Sequence, residues 1–259
     1  MTVQPNAEHL RTMQRLVPGF IGMATPANTV YLHTFQKVGS AILGARNLSN
    51  QLRAVLMEID FALFVEQLRA DRWSACEEQI AEAALALKRA GANFLVITSN
   101  TGTTLSEAAR EQSGLPVLDI VDTTLAAVSA ADYRRPGLLS TVRTCESGVY
   151  QRAAAALGQQ LVEAPQQLML NVQSVILEEL IRGVASRAAL EAVTAAVDYF
   201  VSQGADCVVL GCTDLTHVAA QLQAMRPLPI FDSTILHAEA AAQVACGQKA
   251  ALQNYSASL

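Results

Sequence analysis

Two stretches of the chain end an apolar run with a small polar residue just before a turn, and only one of them carries a thiol. "GADCVVLGCTDLTH" covers 204–217, and "GANFLVITSNTGTT" covers 91–104. In a gapless alignment Cys212 falls on Ser99, an offset of 113 residues (212 − 99). A thiolate is a competent acid/base group, and the amides at the start of a helix favour it. Cys212 is therefore the leading catalytic candidate, although a buried small residue is the usual fate of a cysteine.

Two strand ends besides the one at Cys212 offer groups that bind carboxylates. "SNTGTT" (99–104) presents hydroxyls, the amide of Asn100 and free backbone N–H groups, which together suit an anion. Helix capping by Asn100 or Thr101 explains the same residues nearly as well. "LLSTVRTCESG" (138–148) supplies Thr141 at another strand end.

Arg53 and Thr213 are the remaining candidates for contact with a substrate. Arg53 begins a strand after "LSNQL", and an arginine pointing into a cleft would bind a carboxylate in a bidentate fork. A surface position is the ordinary alternative. Thr213 follows Cys212 directly, and Thr213 and Asp214 can cap the turn.

Composition narrows the function classes. The 259 residues are 51% hydrophobic with a net charge of −5, which disfavours disorder and a nucleic-acid-binding surface. The apolar runs have the length of strands, so no membrane association is expected. The five cysteines are scattered without CxxC spacing, which argues against zinc and disulfides. Together with a polar N-terminal stretch, this predicts a cytoplasmic protein.

Strand and helix patterns alternate along the chain. The strands are expected at 18–22, 53–58, 94–99, 116–120, 137–141, 207–211 and 229–232. Such alternation predicts an α/β fold with parallel sheets, in which ligands bind beyond the carboxyl ends of the strands. We place a first lobe at 1–117 and a second at 118–229, with the tail 230–259 returning to the first lobe.

Six segments, in order, give nearly the whole chain a resemblance to the aspartate/glutamate racemase family, the cofactor-independent group of the Asp/Glu/hydantoin racemase superfamily. They are "GFIGMATPANT" (19–29), "LRAVLMEIDF" (52–61), "AGANFLVITSNT" (90–101), "GLLSTVRTCESGVY" (137–150), "VVLGCTDL" (208–215) and "PIFDSTILHAEAA" (229–241).

The resemblance implies a fold and a mechanism. It implies two pseudo-symmetric Rossmann-like lobes, an active site in the cleft between them, a homodimer, and racemisation of an amino acid such as aspartate or glutamate without pyridoxal phosphate or a metal. In that scheme Cys212 is the thiolate base on the L-face of the substrate. Ser99, or a water that it holds, is the acid/base group on the other face. The residues expected to bind the α-carboxylate and ammonium are Asn100, Thr101, Thr141 and Thr213, with Arg53 on the distal carboxylate.

The sequence departs from the family pattern at three positions. Ser99 replaces the first of two catalytic cysteines, Thr103 replaces a common histidine, and Ile181 stands where many members carry a lysine. A serine ionises far less readily than a cysteine, so a symmetric two-thiol mechanism is impossible. Two alternatives therefore stay open: a single-cysteine decarboxylase or cis–trans isomerase, and a weakly active ligand-binding homologue.

Overall fold

The computed structural model describes residues 15–44, 51–226 and 228–248. Two parallel sheets organise them. The strands are β1 (Pro18–Gly22), β2 (Val55–Glu58), β3 (Phe94–Ile97), β4 (Val117–Leu118), β5 (Pro136–Ser140), β6 (Cys207–Gly211) and β7 (Ile230–Asp232). The strand orders are β2-β1-β3-β4 in the first sheet and β5-β6-β7 in the second.

Helices connect and cover the strands. They are α1 (Thr25–Ile42), α2 (Phe61–Arg69), α3 (Trp73–Arg89), α4 (Ser106–Ser113), α5 (Ile120–Ala130), α6 (Val142–Glu146), α7 (Val149–Ala156), α8 (Gln166–Glu178), α9 (Arg187–Ser202), α10 (Ala219–Met225) and α11 (Ser233–Ala245). Short 3₁₀ turns follow β3, α8 and β6, at Gly102–Leu105, Leu180–Arg182 and Thr213–Val218. Within the described ranges, no helix has the length and apolar character needed to cross a bilayer.

Four strands are buried over their whole length because helices pack on both faces of each sheet. Every residue of β1, β3, β5 and β6 is buried, which is the reason these strands appear in the sequence as continuous apolar runs. One hydrophobic cluster joins the lobes, since it contains Phe20 and Phe94 of the first sheet together with Leu138 and Val209 of the second. This shared core fixes the lobes relative to each other.

The two lobes repeat the same packing device at the start of their sheets. Gly19 in β1 lies against Leu87 of α3, and Gly137 in β5 lies against Phe200 of α9. A Cβ atom at Gly19 would be 3.0 Å from the Leu87 Cβ, and one at Gly137 would be 2.5 Å from the Phe200 Cγ. Glycine is therefore required for the helix to approach the strand. Leu87 and Phe200 are separated by the same 113 residues (200 − 87) as Ser99 and Cys212.

A second repeated device follows β4 and β7. Asp119 accepts hydrogen bonds from the backbone N–H groups of Val121 and Asp122 at the start of α5. Asp232 caps α11 in the same way, and it too lies 113 residues after its counterpart (232 − 119). The pseudo-symmetry suggested by the two turns thus extends to the starts of these two helices.

The end of the described chain is divided between the lobes. β7 pairs with β6 in the second sheet, so the sequence boundary at 229 falls one strand too early. α11 packs against α1, where the Tyr31 hydroxyl lies 2.9 Å from His237 Nδ1. His237 Nε2 lies 3.0 Å from the carbonyl oxygen of Leu118, at the end of β4. The closing helix therefore returns to the first lobe, whereas the strand before it does not; residues 249–259 lie outside the described ranges.

Candidate active site

A cavity of about 280 Å³ lies between the lobes at the carboxyl ends of the strands. Its volume is close to the lower end of the range for small-molecule sites. Six of the seven residues proposed from the sequence line it: Ser99, Asn100, Thr101, Thr141, Cys212 and Thr213. Two corresponding strand ends, one from each lobe, thus meet at one cavity.

Cys212 is positioned by the abrupt end of β6. Its backbone is extended (φ −143°, ψ 133°), and its carbonyl accepts the N–H of Leu215, which begins a tight turn. The sequence suggested that an α-helix starts here. The structure instead has a 3₁₀ turn over Thr213–Val218, and α10 begins only at Ala219.

The surroundings of Cys212 favour the protonated thiol over the thiolate. Burial raises its pKa above the ordinary cysteine value, and the neighbouring Asp214 carboxylate raises it further. The backbone amides of Asp214 and Leu215 oppose this shift, as the sequence predicted, but burial outweighs them. A separate proton acceptor is therefore needed to form the thiolate.

Asp214 is an acidic residue close to that thiol. Its Oδ2 lies 3.9 Å from the Cys212 Sγ, and the residue is 6% exposed and lines the cavity. Burial raises the pKa of this carboxyl to about 6, so it is largely ionised at neutral pH. Its Oδ1 has no hydrogen-bond partner among the described residues. The sequence suggested only a capping role; the signal for more was an acid two residues after the thiol.

Ser99 faces the same cavity with its hydroxyl already engaged. The Oγ atom accepts the N–H of Gly102 at 2.9 Å, which leaves its own hydrogen free to donate. Thr103, at the position of the family histidine, donates to Asp119 Oδ2 at 2.7 Å and does not line the cavity. Ser99 therefore has the character of a hydrogen-bond donor.

Three threonine hydroxyls from the two lobes form a cluster in the lining of the cavity. Thr101 of the first lobe lies 2.7 Å from Thr144 and 3.5 Å from Thr141, both of the second lobe. The last two hydroxyls are 3.0 Å apart. Such a cluster presents several adjustable donors to an anion.

Asn100 connects the lobes through its side chain. Its Nδ2 donates to Ser233 Oγ at 3.1 Å, and its Oδ1 accepts the Tyr150 hydroxyl at 2.7 Å. The residue is only 2% exposed. Asn100 borders the cavity, but these bonds give its amide a positioning role in addition to the ligand role expected from the sequence.

The structure places Arg53 away from the cavity. Arg53 is exposed and precedes Val55, the first residue of β2, so it lies at the amino end of the sheet, whereas the cavity lies at the carboxyl ends. Among the described residues, the arginines that line the cavity are Arg69 and Arg143. Arg143 Nη2 donates to the Asp71 carboxylate at 2.7 Å.

No group of three or more potential metal ligands occurs in the described ranges.

Comparison with protein families shows to which family this chain belongs. The model of the Asp/Glu/hydantoin racemase family matches residues 22–241 of the 259. The chain belongs to this family. The predicted family and the two-lobed α/β fold are thereby confirmed.

The proteins to which this chain is similar include racemases. A Yersinia pestis protein assigned to the Asp/Glu racemases superposes with a TM-score of 0.78 at 27% identity, covering 90% of this chain and 99% of that one. Glutamate racemase from Francisella tularensis, solved with D-glutamate, shares the fold at a TM-score of 0.65 and 17% identity over 91% and 82%. The broad specificity amino-acid racemase RacX of Bacillus subtilis is 25% identical over 162 residues, 61% of this chain and 67% of its own length.

Proposed function

We propose that the protein is an amino-acid racemase or epimerase that works without pyridoxal phosphate or a metal, with Cys212 as the acid/base on one face of the substrate. One observation carries the proposal: Cys212 and Ser99, at corresponding strand ends of two similar lobes, line a single cavity. Inverting a carbon centre requires proton transfer on both of its faces, and this arrangement provides a group on each side.

The first step is removal of the Cα proton. Asp214 accepts the Cys212 thiol proton, the thiolate takes the proton from Cα, and the electron pair of the broken C–H bond moves into the α-carboxylate. The developing charge on that carboxylate is stabilised by positioned hydroxyl donors, for which the Thr101, Thr141 and Thr144 cluster is suited.

The second step returns a proton from the opposite side. Ser99, whose hydrogen is free while its Oγ accepts the Gly102 N–H, delivers a proton to the planar carbanion and regains one from solvent. Asp214 then releases to solvent the proton that it took from Cys212. Thr213, next to Cys212, is the proposed contact for the ammonium group. Aspartate and glutamate are the substrates that the family resemblance predicts, and a homodimer in the cytoplasm stays a prediction.

The test is solvent isotope exchange at Cα, measured by mass spectrometry in heavy water on D- and L-amino acids. Cys212→Ala should abolish exchange. Cys145→Ala is the matched control, because Cys145 is also partly exposed but donates to Glu163 Oε1 at 3.1 Å, outside the cavity. Undiminished exchange by Cys212→Ala would exclude the mechanism.

A second candidate follows from the single thiol. Among the described residues Cys212 is the cysteine that lines the cavity, and one thiol suffices to protonate a planar intermediate formed by decarboxylation. Arylmalonate decarboxylase has the same fold, with a TM-score of 0.58 at 16% identity. Release of carbon dioxide from 2-substituted malonates, without Cα exchange on any amino acid, would favour this reaction over racemisation.

A further inference from the structure

Part of the cavity lining is apolar, and two helices form this part, α2 of the first lobe and α8 of the second. These helices also contribute Arg69 and Gln173 to the cavity. Their apolar side chains that line it are Phe61, Phe64, Val65, Leu68, Ile176 and Leu177. We call these six residues the apolar wall. Ile181, in the turn after α8, extends it.

The apolar wall does not suit a second carboxylate. Phe64 is 3% exposed and Ile176 is 1% exposed, so a carboxylate placed against them would lose its water. Gln173 is uncharged, and its Oε1 already accepts the N–H of Val142 at 3.0 Å. Arg143 is already paired, since its Nη2 bonds both Asp71 and the carbonyl oxygen of Leu68. Arg69, the last residue of α2, is exposed to solvent.

The cavity therefore combines a polar part and an apolar part. Hydroxyl donors at Thr101, Thr141 and Thr144 suit an α-carboxylate, and Cys212 lines the same cavity. A ligand that matches both parts carries its charged groups at Cα and a hydrocarbon side chain beyond it.

We propose that the substrate is an α-amino acid with an apolar side chain of about the size of norleucine or leucine, and that dicarboxylic amino acids are poor substrates. The proposal rests on the racemase function proposed above and adds its substrate class. The apolar wall supplies the selectivity, because each buried methylene lowers the free energy of the bound state.

The direct test is a homologous series in the isotope-exchange assay. Going from 2-aminobutyrate through norvaline to norleucine, kcat/KM should rise about fourfold per methylene, the equivalent of about 0.8 kcal/mol. Aspartate and glutamate should exchange at least about 100-fold more slowly than norleucine, because their side-chain carboxylates must be desolvated. A faster rate for aspartate or glutamate would overturn the proposed class and leave the racemase function intact.

Variants of the wall locate the selectivity. Phe61→Ala should lower kcat/KM for norleucine about tenfold, since it removes one surface that contacts the side chain, and should leave alanine exchange nearly unchanged. Ile181→Lys puts an ammonium group next to the wall and should shift preference toward glutamate. Arg69→Gln should not affect norleucine. A specific loss of glutamate exchange in Arg69→Gln, with glutamate the better wild-type substrate, would assign the side-chain carboxylate to Arg69 and refute the apolar class.

Ligand binding separates this inference from the function on which it rests. The thermal stability of Cys212→Ala, which performs no chemistry, is measured with norleucine and with glutamate. If no amino acid exchanges in the wild-type protein but norleucine still stabilises this variant more than glutamate does, the racemase proposal fails and the ligand class stands. Stronger stabilisation by glutamate, or by neither compound, refutes the ligand class.

Discussion

The Sγ atom of Cys212 lies 3.9 Å from the Oδ2 atom of Asp214, a carboxylate buried beside it at the edge of the cavity. The corresponding residues of the first lobe are Ser99 and Thr101, each 113 positions earlier (212 − 99 and 214 − 101). One strand end thus carries a thiol with an ionisable acceptor, and the other carries two hydroxyls. The site is chemically asymmetric although the fold that builds it repeats.

The first prediction concerns the pH dependence of activity. Burial raises the pKa of Asp214 to about 6, and only its ionised form accepts the thiol proton. The kcat/KM for Cα exchange should therefore rise with pH through about 6 and level off above it. Asp214→Asn should lower kcat/KM by about 100-fold or more and remove this rise. If kcat/KM of Asp214→Asn still rises through the same pH, the rise is caused by the ionisation of another group.

The second prediction concerns the stability of the fold. The contribution of Asp214 to stability should fall as the pH rises, whereas activity should increase. A carboxyl whose pKa is raised from 3.8 in the unfolded chain to about 6 in the fold stabilises the fold below pH 3.8, and this contribution is lost as the pH rises through about 6. Asp214→Asn should therefore increase the free energy of unfolding at pH 7.5, by about 1–2 kcal/mol. Denaturant unfolding should show this gain shrinking toward pH 4.

Asp122 provides the matched control for both predictions. Its pKa is also raised to about 6, first by burial and then by the nearby Asp119, but it lies in α5 and does not line the cavity. Asp122→Asn should produce the same kind of stability gain at pH 7.5 with no change in the pH profile of activity. If Asp122→Asn and Asp214→Asn reduce activity equally, a special role for Asp214 is excluded.

The third prediction tests the hydroxyl cluster. Thr144 is 1% exposed and lies within hydrogen-bond distance of both Thr101 and Thr141. Thr144→Val keeps the shape and removes the donor, so kcat/KM should fall about 10-fold or more as stabilisation of the developing charge weakens. Thr194→Val is the control, because that buried hydroxyl has no partner among the described residues and does not line the cavity. Equal losses in the two variants would remove the cluster from the mechanism.

Much of the site was predictable because its signals are local. Cys212, Ser99 and Thr141 each follow a buried strand, and the carboxyl ends of parallel strands converge on one cleft. Arg53 was misplaced for the same geometric reason: it precedes its strand, and so lies at the opposite edge of the sheet.

Other features depend on packing between distant segments. The apolar wall is formed by α2 and α8, which begin at Phe61 and Gln166. Neither helix carries a sequence pattern that predicts that the two lie at the same cavity. The pKa of Asp214 follows from burial, which no capping pattern specifies. The tight turn after Cys212, in place of a helix, is what turns that carboxylate toward the thiol.

The fourth prediction concerns the asymmetry itself. With Cys212 on the L-face, as the family resemblance implies, solvent deuterium should enter an L-substrate faster than its D-enantiomer in the wild-type protein. Ser99→Cys places a second thiol where the Gly102 N–H already donates to the side chain at 2.9 Å, and this donor favours a thiolate. D-face exchange should rise about tenfold, worth about 1.4 kcal/mol of barrier. A larger gain is not expected, because Thr101 occupies the position that Asp214 has in the second lobe and cannot hold the released proton. Equal wild-type rates on both enantiomers, with no change in Ser99→Cys, would show that residue 99 does not act opposite Cys212.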